Sequence, residues 1–241
     1  MSRKAAQTAL RKKVVFVDKV LTKAYGEKSA RAGEDPVDTL VETILSQNTT
    51  DVNSHRSFQA LKNEYGDWHE LLGEDHAVVS KIIRSGGLPD IKARRILDAL
   101  EFINRERGRI ELDFLRAMSP SEADRWLAQM KGVGPKTRSI VLLFSLGMPA
   151  FPVDTHIHRV SRRLGLISPK TSRERAQEEM ARLVPSKEFY NFHINIIEHG
   201  RAEDVATLDL DEVARFLDEL NLPPHLYSLW SRFLESRHVA R

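Results

Sequence analysis

The sequence contains no cysteine. That absence removes disulfides, thiolate metal sites, iron–sulfur clusters and cysteine nucleophiles together. No uninterrupted apolar run approaches the roughly 20 residues that span a bilayer, and the basic N-terminus has no apolar signal core. A soluble, cytoplasmic protein with no membrane partner is therefore expected, nucleoid-associated if its source is bacterial. Also lacking is any stretch that keeps a two-residue apolar alternation over strand length. Neither sign of charge is in large excess: 37 Lys and Arg against 34 Asp and Glu leave a net charge of +3, which argues only weakly for a polyanionic partner.

What is present is helical spacing, over a chain of 241 residues that can bury a substantial core as one domain or two small ones. The expectation is an all-α protein, one body with two lobes. Asp35-Pro36 places proline at a first helical position, before an apolar stripe of Val37, Leu40, Val41, Ile44 and Leu45; Ser119-Pro120-Ser121-Glu122 reads as a capping box. Further helices are expected at 7–25, 51–65, 76–84, 92–107, 136–147, 154–164, 172–184, 186–199, 209–220 and 224–236. The two prolines of Gly147-Met148-Pro149-Ala150-Phe151-Pro152 deny the backbone a helix and mark a crossing between lobes. Arg3, Lys4, Arg11, Lys12, Lys13, Lys19 and Lys23 face only Asp18 and Glu27 near the N-terminus, which fits either a solvated face or contact with phosphates.

Specific chemistry concentrates in residues 126–160. Lys131-Gly132-Val133-Gly134-Pro135 between two helical segments makes a hairpin; its glycines permit positive φ and leave N–H groups uncovered at a helix start, a nest for phosphate. Lys131 and Lys136 bracket it, and Thr137 adds a hydroxyl beside the same amides. At the N-terminal turn of an apolar helix, the dipole and partial desolvation both favour the neutral amine of Lys136, the form that attacks an electrophilic carbon. A lysine that snorkels to solvent or pairs with a phosphate is the alternative. Asp154 opens the next helix as an N-cap, and the same carboxylate can accept a proton or stabilise a cationic sugar. His156, His158 and Arg159 follow it, with too few ligands at metal spacing to argue a metal site.

These motifs, Gly132-Val133-Gly134-Pro135-Lys136-Thr137 and Val153-Asp154-Thr155-His156-Ile157-His158-Arg159-Val160, resemble the endonuclease III branch of the helix-hairpin-helix DNA glycosylases. "LSQNTTDV", "GGLPDIKARRI" and "IIEHGR" extend the resemblance over roughly residues 28–201. It implies a helical lobe of six helices at 29–148 holding the hairpin, a second lobe of 1–28 with 149–241, and double-stranded DNA gripped in a cleft between them. A nucleotide with a damaged base, or an abasic site, is rotated into that cleft. Lys136 corresponds to the Schiff-base lysine and Asp154 to the catalytic aspartate. Lys131, Gly132, Val133, Gly134, Thr137, His156 and Arg159 fall on DNA-facing segments. Either Gln47 or Asn48 fills the gap left by the rotated nucleotide, Leu88 is the apolar wedge, and Gly86 stands where a second, larger wedge residue is expected.

The sequence departs from the family pattern after His199-Gly200-Arg201, where relatives carry four cysteines for a four-iron cluster. Residues 209–236 instead offer two amphipathic segments, with Val213, Phe216, Leu217, Leu220, Leu226, Leu229, Trp230 and Phe233 available for burial. No cofactor is expected, a monovalent cation on hairpin carbonyls near Val133 being the one exception to consider. The resulting expectation is a monomeric base-excision-repair glycosylase with lyase activity, by default on oxidised pyrimidines. A glycosylase for mismatched thymine, uracil or oxidised purine, and a silent DNA-binding module, are the alternatives.

Overall fold

The computed structural model of the chain describes residues 3–29 and 34–201. The segments expected as helices at 209–220 and 224–236 lie outside the described residues. All regular structure among the described residues is helical. The described residues form two compact units: residues 34–152, and residues 3–29 together with 153–201. The chain passes from one to the other at the end of the two-proline segment.

In the first of these units, α2 (Pro36–Ser46) begins where Asp35 accepts from the Val37 and Asp38 amides at 2.7 and 3.0 Å. Thr50 caps α3 (Asp51–Glu64), and α4 (His76–Ile82) leads through a 3₁₀ turn, Arg84–Gly86, to α5 (Pro89–Arg107). Both halves of the Ser119–Glu122 capping box form at the start of α6 (Pro120–Leu127). The hairpin then turns into α7 (Pro135–Ile140). Leu40, Ile44, Leu45, Leu61, Ile96, Leu100 and Val141 lie in one apolar core to which α2 to α6 contribute and which takes up Val141 and Leu142 just after α7. Each such side chain contributes about 1.5–3 kcal/mol by leaving water.

Several helix bounds differ from expectation: the helix expected at 7–25 starts at Arg3 and the one expected at 186–199 runs Phe189–Arg201. Two further differences have a visible physical cause. α5 starts at Pro89 rather than 92, because Leu88, left-handed at φ 49°, acts as its N-cap without a side-chain bond. The helix expected at 136–147 is α only to Ile140 and continues as a π turn over Val141–Ser145. There the buried Ser145 hydroxyl donates to Thr39 Oγ1 on α2 at 2.6 Å, tying the widened turn to the core.

The other unit packs α1 (Arg3–Tyr25) against α9 (Arg173–Leu183) and α10 (Phe189–Arg201), with α8 (Thr155–Arg163) against α9 and α10. The buried stripe of α1 is Val14, Val17, Val20 and Leu21. Lys13 belongs to that side and is 3% exposed, so it is neither on a solvated face nor available to a phosphate. Asn191 on α10 secures α1, donating to Asp18 Oδ1 at 2.9 Å and Thr22 Oγ1 at 2.8 Å. Gly200 lets α10 pass close to α8, since a β-carbon there would lie 3.0 Å from His156 Cβ, tighter than ordinary contact.

Candidate functional site

Within the unit of residues 34–152, the hairpin has the geometry its sequence implies. Lys131 and Gly132 are exposed, Gly132 sits at φ 83°, and Val133 is buried. Gly134 caps α7 with extended backbone and no side-chain bond, so the first amides of that helix keep their donors clear of any side-chain cap. Lys136 is half-buried on this first turn, and Thr137 beside it is 2% exposed. Arg138 stabilises the hairpin from behind: it pairs with Asp124 at 2.8 Å and donates to the Val133 carbonyl at 3.3 Å.

The two amide candidates separate clearly. Gln47 is engaged at both ends of its side chain, donating to Thr137 Oγ1 at 3.3 Å and accepting from Arg95 Nη1 at 2.7 Å. Asn48 is exposed, with φ 53°. Leu88 is 50% exposed with φ 49°. Asn48 and Leu88 are the non-glycine residues with positive φ among the described residues. Such a conformation costs a leucine about 1–2 kcal/mol and persists only where surrounding structure enforces it. Gly86, by contrast, is buried, and a β-carbon on it would meet Ser57 Oγ at 2.8 Å; a large side chain there is excluded by α3.

Two residues of this region were not singled out in the sequence. Arg95 bonds Gln47 and lies against Gly132. Lys92 is 2% exposed and donates to the carbonyls of Leu45 at 2.6 Å and Gly86 at 2.7 Å. Burial, with the Arg95 charge adding to it, holds the Lys92 pKa below its ordinary value. A signal did exist: Lys92 falls on the stripe of Ile96, Ala99 and Ile103, at a core phase of α5.

In the other unit, Asp154 caps α8, accepting from the Ile157 amide at 2.8 Å. Arg159 is exposed; its guanidinium donates to the Gly200 carbonyl and contacts His156 Nδ1 at 3.3 Å. His158 turns the other way, its Nε2 meeting the Thr171 carbonyl at 2.8 Å. Gln47, Asn48, Leu88, Lys131, Gly132, Val133, Gly134, Lys136 and Thr137 thus belong to one unit, and Asp154, His156 and Arg159 to the other.

Comparison with known proteins bears on this arrangement. Residues 41–186 match the model of the HhH-GPD superfamily base excision DNA repair proteins. Endonuclease III of Thermotoga maritima is 32% identical over 167 residues, covering 69% of this chain and 74% of that protein. The chain belongs to the endonuclease III-like DNA glycosylases of the HhH-GPD superfamily. A candidate DNA glycosylase of Arabidopsis thaliana is 37% identical over 168 residues; the match spans 70% of this chain but 57% of the plant protein's length. Among solved structures, a trapped endonuclease III–DNA covalent intermediate is similar with TM-score 0.68 and 26% identity, over 80% of this chain and 89% of that one. A non-covalent endonuclease III–DNA complex reaches TM-score 0.72 at 23% identity, over 95% and 98%, and so speaks for the shared fold.

Membership of the HhH-GPD superfamily makes DNA the partner of this glycosylase. Among the described residues no group of three or more His, Asp or Glu is arranged to hold a metal ion, and no helix is long and apolar enough to cross a membrane.

Proposed function

We propose that this HhH-GPD glycosylase is bifunctional, removing a damaged base from duplex DNA and then nicking the abasic strand, with Lys136 as nucleophile. The observation that carries this is the place of Lys136: a half-buried amine on the first turn of α7, directly after a glycine hairpin whose amides are open to phosphate. The hairpin fixes the sugar–phosphate backbone, so the amine meets the sugar rather than bulk solvent.

The neutral amine attacks C1′, the glycosidic bond breaks, and its electron pair leaves with the base, which takes a proton. Loss of the amine proton and opening of the sugar ring give an imine between Nζ and C1′. Removal of a C2′ proton then expels the 3′ phosphate by β-elimination. Asp154 supplies negative charge to the cationic sugar as the base departs, while its cap bond to Ile157 fixes the carboxylate. The solved endonuclease III held covalently on DNA supports a covalent route for this relative. Oxidised pyrimidines are the proposed substrate class, and the working form is a monomer.

Asn48 fills the space vacated by the rotated nucleotide, because Gln47 is already committed to Arg95 and Thr137. Leu88 wedges the neighbouring step. No cofactor takes part. A cation on the Val133 carbonyl would compete with the Arg138 guanidinium, which already donates to that oxygen.

The test is borohydride trapping on a panel of duplexes, each with one lesion. Wild-type protein should cleave oxidised-pyrimidine duplexes and be captured as a covalent adduct, while Lys136→Gln binds lesion DNA without capture or cleavage. Capture by Lys136→Gln would move the nucleophile to another amine. Binding of all duplexes without cleavage would identify a silent DNA-binding module, and cleavage of another lesion would reassign the substrate.

A further inference from the structure

Burying an ammonium is expensive, and a helix interior position that faces the core is the last place a lysine is needed for solubility. Lys92 nevertheless lies at such a position, 2% exposed, at the close of the first turn of α5. Its bonds explain how the burial is tolerated. The Leu45 carbonyl is in the last turn of α2, and the Gly86 carbonyl ends a 3₁₀ turn; both are helix-end acceptors that lack continuing backbone partners. The negative end of the α2 dipole also favours the charged form.

The two carbonyls have a second property in common. Leu45 lies three residues before Asn48, and Gly86 two residues before Leu88. Lys92 therefore reaches back to the base of each loop that displays a left-handed non-glycine residue. The backbone N–H of Lys92 also donates to the carbonyl of Leu88, the N-cap of α5, at 3.1 Å. Strained loop tips keep their geometry only when the surrounding structure over-determines it.

We infer that Lys92 is a positioning residue, a buried tie between the loops of Asn48 and Leu88 that makes the two side chains enter DNA as a fixed pair. This rests on the reading that both side chains intrude into the duplex. With the tie intact, one encounter inserts both tips at a set separation, and the rotated nucleotide is held out long enough to react. Without it, each tip settles independently, and a shift of about 1 Å is enough to cost roughly 10²-fold in rate.

The test reads intrusion directly and separately from chemistry. Duplexes carrying an abasic-site analogue, with 2-aminopurine as the neighbouring base, become fluorescent when the base is unstacked. Wild type should give a strong increase. Lys92→Met should lose most of it and slow single-turnover base release by roughly tenfold or more, while affinity for undamaged duplex changes by less than about twofold, because the hairpin holds the phosphates. Lys92→Arg, which keeps charge and donors, should restore part of the signal. The decisive comparison is made in a background with Asn48→Ala and Leu88→Ala, where Lys92→Met should have no further effect, since coupled residues are not additive.

Should Lys92→Met fail to fold, Lys92→Gln carries the same comparison with an uncharged donor. Full unstacking by the folded Lys92 variant, or the same loss from it with both tips already removed, overturns the inference alone. A wild-type protein that leaves the reporter stacked overturns the intrusion reading and this inference with it.

Discussion

Gly132 and Arg95 approach so closely that a β-carbon on the glycine would lie 2.9 Å from Arg95 Cγ. Arg95 is also the residue that holds Gln47, and Gln47 holds Thr137. The hairpin and the start of α7 are thereby joined to the end of α2 through Arg95 and Gln47. Gly132→Ala should displace Arg95 and strain a backbone now at φ 83°, costing about 1–2 kcal/mol. Affinity for undamaged duplex should fall and the choice of lesion should not change, because phosphate contacts carry no base information. Anisotropy titrations on damaged and undamaged duplexes check this; an unaltered affinity would remove the hairpin from the binding surface.

Asp154 has a structural and a proposed chemical task, and two substitutions separate them. Asp154→Asn keeps an oxygen for the Ile157 amide and should cost below about 1 kcal/mol, whereas Asp154→Ala loses the cap and should cost about 1 kcal/mol or more. Both should slow base removal by roughly 10²-fold or more, since both lose the charge. On DNA whose base is already absent, Asp154→Asn should still be trapped through Lys136. Thermal melts alongside single-turnover assays give the comparison, and normal base removal by Asp154→Asn would exclude the electrostatic role.

With no cysteine in the sequence, activity should survive strong chelators, and concentrated protein should show no visible iron absorbance. Exchange of sodium for potassium or a bulky organic cation should leave the single-turnover rate unchanged at constant ionic strength, as the Val133 carbonyl already accepts from the cationic Arg138. Loss of activity in chelator, restored by one metal, would contradict this expectation.

The α1–α10 region sets the pH dependence of stability. Burial lowers the Lys13 pKa from 10.5 to about 7. A lysine depressed in the folded state binds fewer protons folded than unfolded between those values, so stability rises with pH across that window and the penalty is complete below it. Asp18 is raised from 3.8 to about 6, chiefly by burial, with Glu188 adding to the shift and the Asn191 bond and Lys187 opposing it. An acid raised in the folded state keeps its proton longer when folded, so stability falls as pH climbs through that interval. Lys13→Met should therefore raise the melting temperature at neutral pH, by about 2–4 °C per kcal/mol recovered, and the gain should shrink toward alkaline pH. The gain from Asp18→Asn should be absent below about 3.8, grow as pH climbs, and be complete above about 6. Melts across a pH series decide both, and a Lys13→Met gain independent of pH would refute the assignment.

The residues that announced themselves in the sequence are those whose role is local. Asp35, Ser119 and Asp154 cap helices through amides two or three positions away, so spacing reveals them. The hairpin glycines belong to the same class. Lys13, Lys92 and Arg95 are decided by what another helix presents, and a lysine in a helix has the same sequence signature whether it faces water or a buried carbonyl. That Gln47 is tied down while Asn48 is exposed was likewise illegible, because it depends on Arg95, 48 residues further along. The start of α5 was misplaced for a related reason: Gly86-Gly87-Leu88-Pro89 has the composition of a loop, and only tertiary support lets Leu88 serve as a left-handed cap.

The backbone at Asn48 and Leu88 sets a trap for directed evolution. Glycine adopts φ near +50° without a β-carbon clash, so a library screened for heat resistance gains by enriching glycine at both positions. On the proposed role of these two side chains, such winners would be sturdier and yet carry nothing to push into DNA. Any hardening of this enzyme for use at high temperature has to exempt these two codons from the screen, or score repair and survival together.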